Sequence, residues 1–436
     1  MTERSDTPHK VGVYPYLVVL ILGLVYTFNY LDRQILAILA EPIKNELNLT
    51  DTQIGMVSGL MFALFYTFFG IPIAWLADRS HRVRIVAGAC MMWSVFCGLC
   101  GVAQNYVHLV LARIGVGIGE AGGASPSMSV ISDYFPPHKR GGAIGLFSLG
   151  VPLGATIGVA FGAWVAAHYG WRQAFVAVAI PGVVLSLLLL VLVREPKRGR
   201  YDPPAEAAAK PASIAECIRT YIRTPTLSLL LLAAGTYSFV FNAFGAWAPA
   251  LLLRAKGAQM SDISLWYSLV FGLAMAVGMF ASGFLADKFA QKKPSAYAIL
   301  PAWALAIGVP FFVAGVMAPT WPVALGLLAV PMAMNMMFVA PGFAICQNVA
   351  PANQRATVSS ILMLVNNLVG MGLGPLFVGA LSQHFSGSLE SGAALAKAML
   401  FVTPFYIPAI GALILVARAL DKRQAALAAQ NATANA

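Results

Sequence analysis

Long apolar stretches alternate with short polar segments along the whole chain, and none carries the every-second-residue alternation of a barrel strand. Twelve stretches are legible: 14–39, 54–75, 83–103, 108–133, 141–167 and 173–193, then 227–253, 263–286, 296–317, 321–347, 358–385 and 398–417. Each is about as long as a helix needs to cross a hydrocarbon core roughly 30 Å thick. Inside lipid only helices and closed barrels satisfy every backbone polar group, so helices remain. The pattern predicts an all-α membrane protein of twelve transmembrane helices in two pseudo-symmetric six-helix bundles, residues 1–193 and 227–418. The first stretch is too long for the apolar part of a cleavable signal and reads as a retained helix, which puts both termini on one side.

Composition excludes a water-soluble fold: 59% of the residues are hydrophobic and 10% charged, against about 25% charged in soluble domains. With the N-terminus cytoplasmic, most Lys and Arg residues fall on cytoplasmic segments. External loops keep only Lys44, Arg172, Arg254, Lys256 and Lys397. The net charge of +11 is therefore membrane topology and not a nucleic-acid footprint. Five cysteines, four of them inside apolar stretches, show no metal-site spacing with histidine. They read as small core residues, and neither a metal nor an organic cofactor is expected.

A polar, proline-bearing segment, "REPKRGRYDPPAEAAAKPAS", divides the halves. It belongs to a cytoplasmic linker, 194–226, and a cytoplasmic tail, 419–436, closes the chain. Within the linker Ser213 and Glu216 fit a capping box, and Ile214, Ile218, Tyr221 and Ile222 share a face flanked by Arg219 and Arg223. That pattern predicts a short basic helix on the inner membrane surface. The halves also repeat one another. "AWLADRSHRVR" returns as "GFLADKFAQKK", setting Asp78 against Asp287 after 287 − 78 = 209 residues, and Arg140 aligns with Arg355 in a second match. Small-residue ridges, Gly150, Gly154, Gly158 and Gly162 in the fifth stretch and Gly115, Gly119 and Gly123 in the fourth, allow close helix contact. Gly117, Gly119 and Gly122 also match a dinucleotide-binding spacing, but no strand precedes them.

Ionisable groups inside membrane helices cost about 2.5–3.5 kcal/mol each on insertion scales, so they mark function. Asp32 and Arg33 lie in the first stretch, within "FNYLDRQ" beside Asn29 and Tyr30, and Arg113 and Glu120 lie in the fourth. The second half offers only amides, Asn242, Asn335, Asn366 and Asn367. Arg113, Gly117 and Glu120 share one helix face. Depth counted along the helices makes an Asp32–Arg113 contact plausible, with Glu120 about 10 Å deeper. A carboxylate in a low-dielectric site is drawn toward its neutral form by desolvation and held ionised by a guanidinium, so moving the guanidinium can release or take up a proton. Asp32 and Glu120 are the candidate proton-coupling groups, and Arg33, Arg113, Asn29 and Tyr30 the candidate head-group and ion-pair set. Asp78, Arg79, Arg82, Arg140 and Asp287 are candidates for a cytoplasmic gate, since a carboxylate at a helix end can latch a neighbouring helix N-terminus. Phe239, Phe244, Met334 and Met337 are candidates for an apolar cavity wall, where methionine adapts to variable tails.

The repeated acid-and-base element resembles the signature of the major facilitator superfamily over nearly the whole chain, although Ala74 stands where the motif usually begins with glycine. "NYLDRQ", "GIGEAG", "ISDYFPPHKRG" and "GVPLGATIG" together resemble the Spinster group of lipid transporters, whereas "NYLDR" alone is similar to organic-anion symporters of the same superfamily. The resemblance implies functional acids at Asp32 and Glu120, an arginine at Arg113, and lysophospholipid or sphingosine-1-phosphate-like cargo. The expectation is a monomeric, proton-coupled transporter of an amphiphile in a bacterial inner membrane. An organic-anion symporter on the same fold is the nearest rival. A lipid-modifying enzyme is the more distant one, because His108, His168 and His384 form no catalytic spacing.

Overall fold

The computed structural model describes residues 12–198, 200, 214–290, 293–351 and 354–434. Among them, eleven helices are long and apolar enough to cross a membrane. The fourth crossing differs, running as Tyr106–Glu120 and Ala124–Tyr134 with a turn at 121–123 between them. Gly119, Gly122 and Gly123 crowd that point, and each weakens a helix by about 1 kcal/mol relative to alanine. The Gly122 and Gly123 amides turn back to the carbonyls of Gly119 and Glu120. Helix length therefore ends at Glu120, and the two pieces together complete twelve crossings. In the second half the tenth crossing parts at the matching place, between Trp321–Met336 and Val339–Val349.

The duplication extends to helix starts. Thr50 with Gln53 and Gln259 with Asp262 form capping boxes at the second and eighth crossings, 259 − 50 = 209 residues apart, the same offset as Asp78 and Asp287. Each box leads into a π-helical turn, Met56–Leu60 and Ile263–Tyr267. A longer π-helical stretch, Asn366–Leu373, interrupts the eleventh crossing. Such turns are frequent at functional sites.

The first crossing, Val13–Leu47, runs 47 − 39 = 8 residues beyond the expected end, through Pro42. It packs on the fifth crossing and the third packs on the fourth and sixth; in the second half the seventh packs on the twelfth and the ninth on the tenth and twelfth. Contacts between halves join the second crossing to the eleventh, the fifth to the eighth and the first to the seventh.

The glycine ridge of the fifth crossing serves packing within one half. A Cβ on Gly158 would stand 2.8 Å from Leu31 Cα, and one on Gly154 would strike the Thr27 carbonyl. Glycines that let the two halves touch are others: Gly55 and Gly59 against Pro375 and Met371, Gly379 against Asp51, and Gly272 against Thr156.

The linker helix forms over Ile214–Arg223; Ser213 and the Ile214 side chain lie outside the described residues. Ile218 and Ile222 are exposed beside Arg219 and Arg223, as an interfacial helix requires, but Tyr221 does not share their face. With Cys217 it turns inward, and its hydroxyl donates to the Val358 carbonyl at 2.8 Å. A residue one position from the apolar stripe sits about 100° around the helix, enough to reach the protein instead.

Because the first and fifth helices meet backbone to backbone, Gly154→Val is expected to destabilise the fold by about 1–3 kcal/mol through overpacking. Gly326→Ala, where an added methyl meets nothing within 4 Å, serves as the control. Thermal unfolding in detergent followed by tryptophan fluorescence measures both, and equal midpoints would contradict the packing assignment.

Candidate functional site

The four intramembrane charges converge in the first half, but in a different pairing from the one that depth along the sequence suggests. Arg33 Nε meets Glu120 Oε2 at 2.5 Å, with the glutamate side chain fully buried. Asp32 and Arg113 form no ion pair within 4 Å; one Asp32 oxygen and two Arg113 nitrogens have no protein partner. The extra length of the first helix explains the change. Eight additional residues sink Asp32 and Arg33 about 12 Å further from the helix end, which brings Arg33 level with Glu120. Asn29 borders Glu120, while Asp32 turns toward Cys97 of the third crossing, Arg82–Gly101.

Aromatic rings cradle the cations. The Arg33 guanidinium carbon lies 5.1 Å from the Tyr30 ring centroid, 5.4 Å from that of Phe62 and 4.9 Å from that of Tyr66. Arg113 lies 5.0 Å from Phe62. Ring faces attract cations at these separations. Phe62 and Tyr66 follow the π-helical turn of the second crossing, whose Ser58 also faces the central space.

That space is a cavity of about 420 Å³ between the halves, bordered by Tyr30, Arg33 and Arg113 on one side. Asp32 and Glu120 do not border it: the cations face the cavity and the acids stand behind them. The opposite wall differs from expectation. Phe239, Phe244, Met334 and Met337 are absent from it, and Met275, Met279, Met336, Met363 and Met371 supply the methionines. Phe239 packs inside its own half against Phe377 and Phe405, and Phe244 against Phe312. Met334 and Met336 stand about 200° apart on one helix, so Met336 borders the cavity while Met334 packs against Gly308 of the ninth crossing. Polar groups on this wall are Ser238, Asn242, Asn366 and Asn367, at or near the π-helical stretch of the eleventh crossing.

A second charged cluster joins the halves at the end bearing the 48–50 and 257–259 connections, which the Lys and Arg distribution predicts to be external. Arg254, the last-turn arginine of the seventh crossing, donates to Glu41 at 2.9 Å and to Asp51 at 2.9 Å. Lys44 reaches Asp51 at 2.6 Å, and the Ser382 hydroxyl donates to Asp51 at 2.6 Å. Asp51 and Arg254 are nearly buried. Sequence reasoning left Lys44 and Arg254 as external-loop charges, because the partners of Arg254 lie more than 200 positions away. The two capping boxes were the available signal, since they fix Asp51 at a helix start.

At the other end, the side chains of Asp78 and Asp287 lie outside the described residues. Arg82 is held inside its own half by Asp133 at 2.5 Å and Glu195 at 2.7 Å. Arg140 donates to the carbonyls of Ser132 and Phe135, and Arg79 stacks on Trp75 at 4.2 Å. These contacts brace the first half and do not bridge to the second.

Residues 22–375 match the Major Facilitator Superfamily. A crystal structure of a bacterial homologue of the human lysosomal transporter Spinster, in an inward-facing and unoccupied conformation, superposes with a TM-score of 0.86 at 30% identity, covering 96% of this chain and 99% of that one. An MFS-type efflux pump of Mycolicibacterium smegmatis is 32% identical over 385 residues, 88% of this chain and 87% of the relative. A hexuronate transporter of Bacillus subtilis is 27% identical over 405 residues, 90% of this chain and 95% of the relative.

Removing one partner of a buried charge network costs about 3–5 kcal/mol, so Arg254→Gln is expected to open the end it closes. Spin labels at Val107→Cys and Met317→Cys, exposed positions at that end on opposite halves, read the separation by double electron–electron resonance. The longer-distance population should rise at least about tenfold, as roughly 1.4 kcal/mol would give. An unchanged distance distribution would show that this cluster does not hold the halves together.

Proposed function

The chain belongs to the major facilitator superfamily as a multi-pass membrane transporter related to the bacterial Spinster homologues, and we propose that it carries amphiphilic anions by proton-coupled alternating access. The observation that carries this reading is the inequality of the two cavity arginines. Arg33 is neutralised by Glu120, while Arg113, 2% exposed and facing the cavity, has no anion within ion-pair distance. A buried guanidinium in that state favours an incoming phosphate or carboxylate, which it can meet with two parallel N–H donors. Both guanidiniums lie against the Phe62 ring and both border the cavity, where one head group could meet them.

Proton coupling follows from charge balance. An anion arriving between Arg33 and Arg113 competes with Glu120 for Arg33, and a carboxylate deprived of its guanidinium in a desolvated site takes up a proton. Asp32, behind the same helix face, is the second proton-exchanging group of this mechanism. Glu120 ends its helix at the turn 121–123, so its side chain can change partner without bending a continuous helix. The five methionines across the cavity would accommodate an apolar tail, being flexible and polarisable. With the charged cluster of Arg254, Glu41 and Asp51 closed, we assign the conformation as open toward the cytoplasm, in a bacterial inner membrane with both termini inside.

A second reading has its own support. Ser238, Asn242, Asn366 and Asn367 could bind hydroxyl groups of a sugar acid, and one relative is a hexuronate transporter. Competition decides between the two: lysophosphatidate should displace a bound fluorescent lysolipid from the purified protein and glucuronate should not. The opposite order would transfer the assignment to small organic anions.

Arg113→Gln is expected to weaken fluorescent-lysolipid binding at least about tenfold, the loss of one charge-assisted contact of roughly 1.5–3 kcal/mol. Asp32→Asn and Glu120→Gln should each flatten the pH dependence of binding and of proton-driven uptake in proteoliposomes. A pH response unchanged in both variants would remove the coupling assignment.

A further inference from the structure

The twelfth crossing is not one helix: it runs as Ser391–Leu400, a short 3₁₀ turn at Thr403–Phe405, and Tyr406–Ala434. Against this interruption and the ninth crossing, Ala296–Met317, lies a second cavity of about 620 Å³. Val309 and Val313 form one wall, Ile407 and Ile410 the other, and no lining residue is shared with the central cavity. Ile407 of its lining is exposed, as is Phe401 beside the lining Leu400, so it opens to the hydrocarbon face of the second half.

For a groove facing lipid, its backbone is unusual. Pro310 within the ninth helix removes the amide that would bond the Ala306 carbonyl, and Pro404 removes the one that would bond the Leu400 carbonyl. Ala306 and Leu400 both line the groove. Thr403, between them, has a buried hydroxyl with no protein partner. A threonine in a helix ordinarily donates to the carbonyl four residues back, but here the Met399 carbonyl accepts from the Val402 amide. At the back of the groove Tyr406 is fully buried and accepts from Asn335 at 3.3 Å, while the Asn335 side-chain oxygen, also buried, has no partner. Polar backbone at membrane depth persists where something satisfies it, and hydrocarbon cannot. Carbonyls accept only, so the missing partner is a donor.

We propose that this groove between the ninth and twelfth crossings is a binding site for a single-chain bilayer amphiphile with a hydroxyl or amide donor near its head. The chain lies along Val309, Val313, Ile407 and Ile410, and the donor meets the Ala306 and Leu400 carbonyls and the Thr403 hydroxyl. The volume falls within the roughly 300–1,000 Å³ of small-molecule sites. The source is the surrounding membrane, because the mouth opens sideways among exposed apolar side chains and not toward the central cavity.

The probe is a hexadecanol analogue with a mid-chain diazirine, irradiated with the full-length protein in phosphatidylcholine vesicles and mapped by peptide mass spectrometry. Adducts should concentrate on peptides containing Val309, Val313, Ile407 and Ile410. Excess hexadecanol should lower them at least about fivefold, and hexadecane, of equal chain length but without a donor, less than twofold. Val309→Trp should abolish the groove adducts by filling the space. Thr403→Val, which keeps the shape and removes the hydroxyl, should narrow the difference between the two competitors. Adducts spread over all lipid-facing helices, adducts confined to Met336 and Met363 of the central cavity, or equal competition by hexadecane would each overturn the proposal.

Discussion

A charge inside a membrane protein must be paired, wetted or held near a counter-charge, and the contact between Arg33 and Glu120 is where this chain meets that demand most directly. It ties the first crossing to the fourth and fixes which residues can face the cavity. With Glu120 occupied behind Arg33, the guanidiniums become the cavity surface and the carboxylates its backing. The cluster holds two acids and two bases, so neutrality is reached by the group while only one contact is a direct ion pair. That arrangement is poor as a rigid staple, since Asp32 and Arg113 contribute charge without a direct ion pair and each keeps buried polar atoms unpaired. It suits a site in which a third party, a proton or an anion, completes the set.

Duplication supplied the frame on which this cluster sits, and the two copies then diverged. Capping boxes, π-helical turns and broken fourth and tenth crossings recur at matching places. Charge facing the central cavity does not recur among the described residues. Where the first half offers Arg33 and Arg113, the second presents amides and methionines on a π-helical stretch. A cavity with one cationic wall and one soft, weakly polar wall is electrostatically asymmetric, so an anionic group is favoured on one side only.

The spans, the duplication and the four intramembrane charges were legible because each leaves a local signal, either a run of apolar residues or a charge within one. Partners across space were less so. Arg33 and Glu120 could not be matched by counting from Leu39, because the helix continues through Glu41, Lys44 and Glu46, polar residues that read as a loop. The turn after Glu120 is signalled by Gly119, Gly122, Gly123 and Pro126 taken together, whereas the sequence reading placed only Gly119 and Gly123 among them in a packing ridge. Met334 and Met336 stand about 200° apart on one helix, and the run of methionines alone does not say which of those faces meets the cavity. The Arg254 cluster shows locally only as the capping box that sets Asp51 at a helix start, since its members come from three distant segments.

The same undivided first helix supplies a physical link between the two charged clusters. Arg33 and Glu41 lie on one continuous helix, eight residues or about 12 Å apart, with Lys44 a turn further on. That helix is locked to the fifth by Gly154 and Gly158, where a side chain would strike Thr27 or Leu31, so it cannot slide independently of its bundle. A rearrangement at Arg33 that tilts the bundle must therefore move Glu41 and Lys44 relative to Arg254 and Asp51. No chain of intermediate contacts is needed, only a stiff half and two clusters at different distances from its pivot. A ligand moves such an equilibrium by no more than its difference in affinity for the two states. Under the proposed alternating access, the strength of the Arg254 cluster sets how much binding free energy the cavity must deliver before the far end opens, and weakening that cluster lets a weaker ligand drive the same motion.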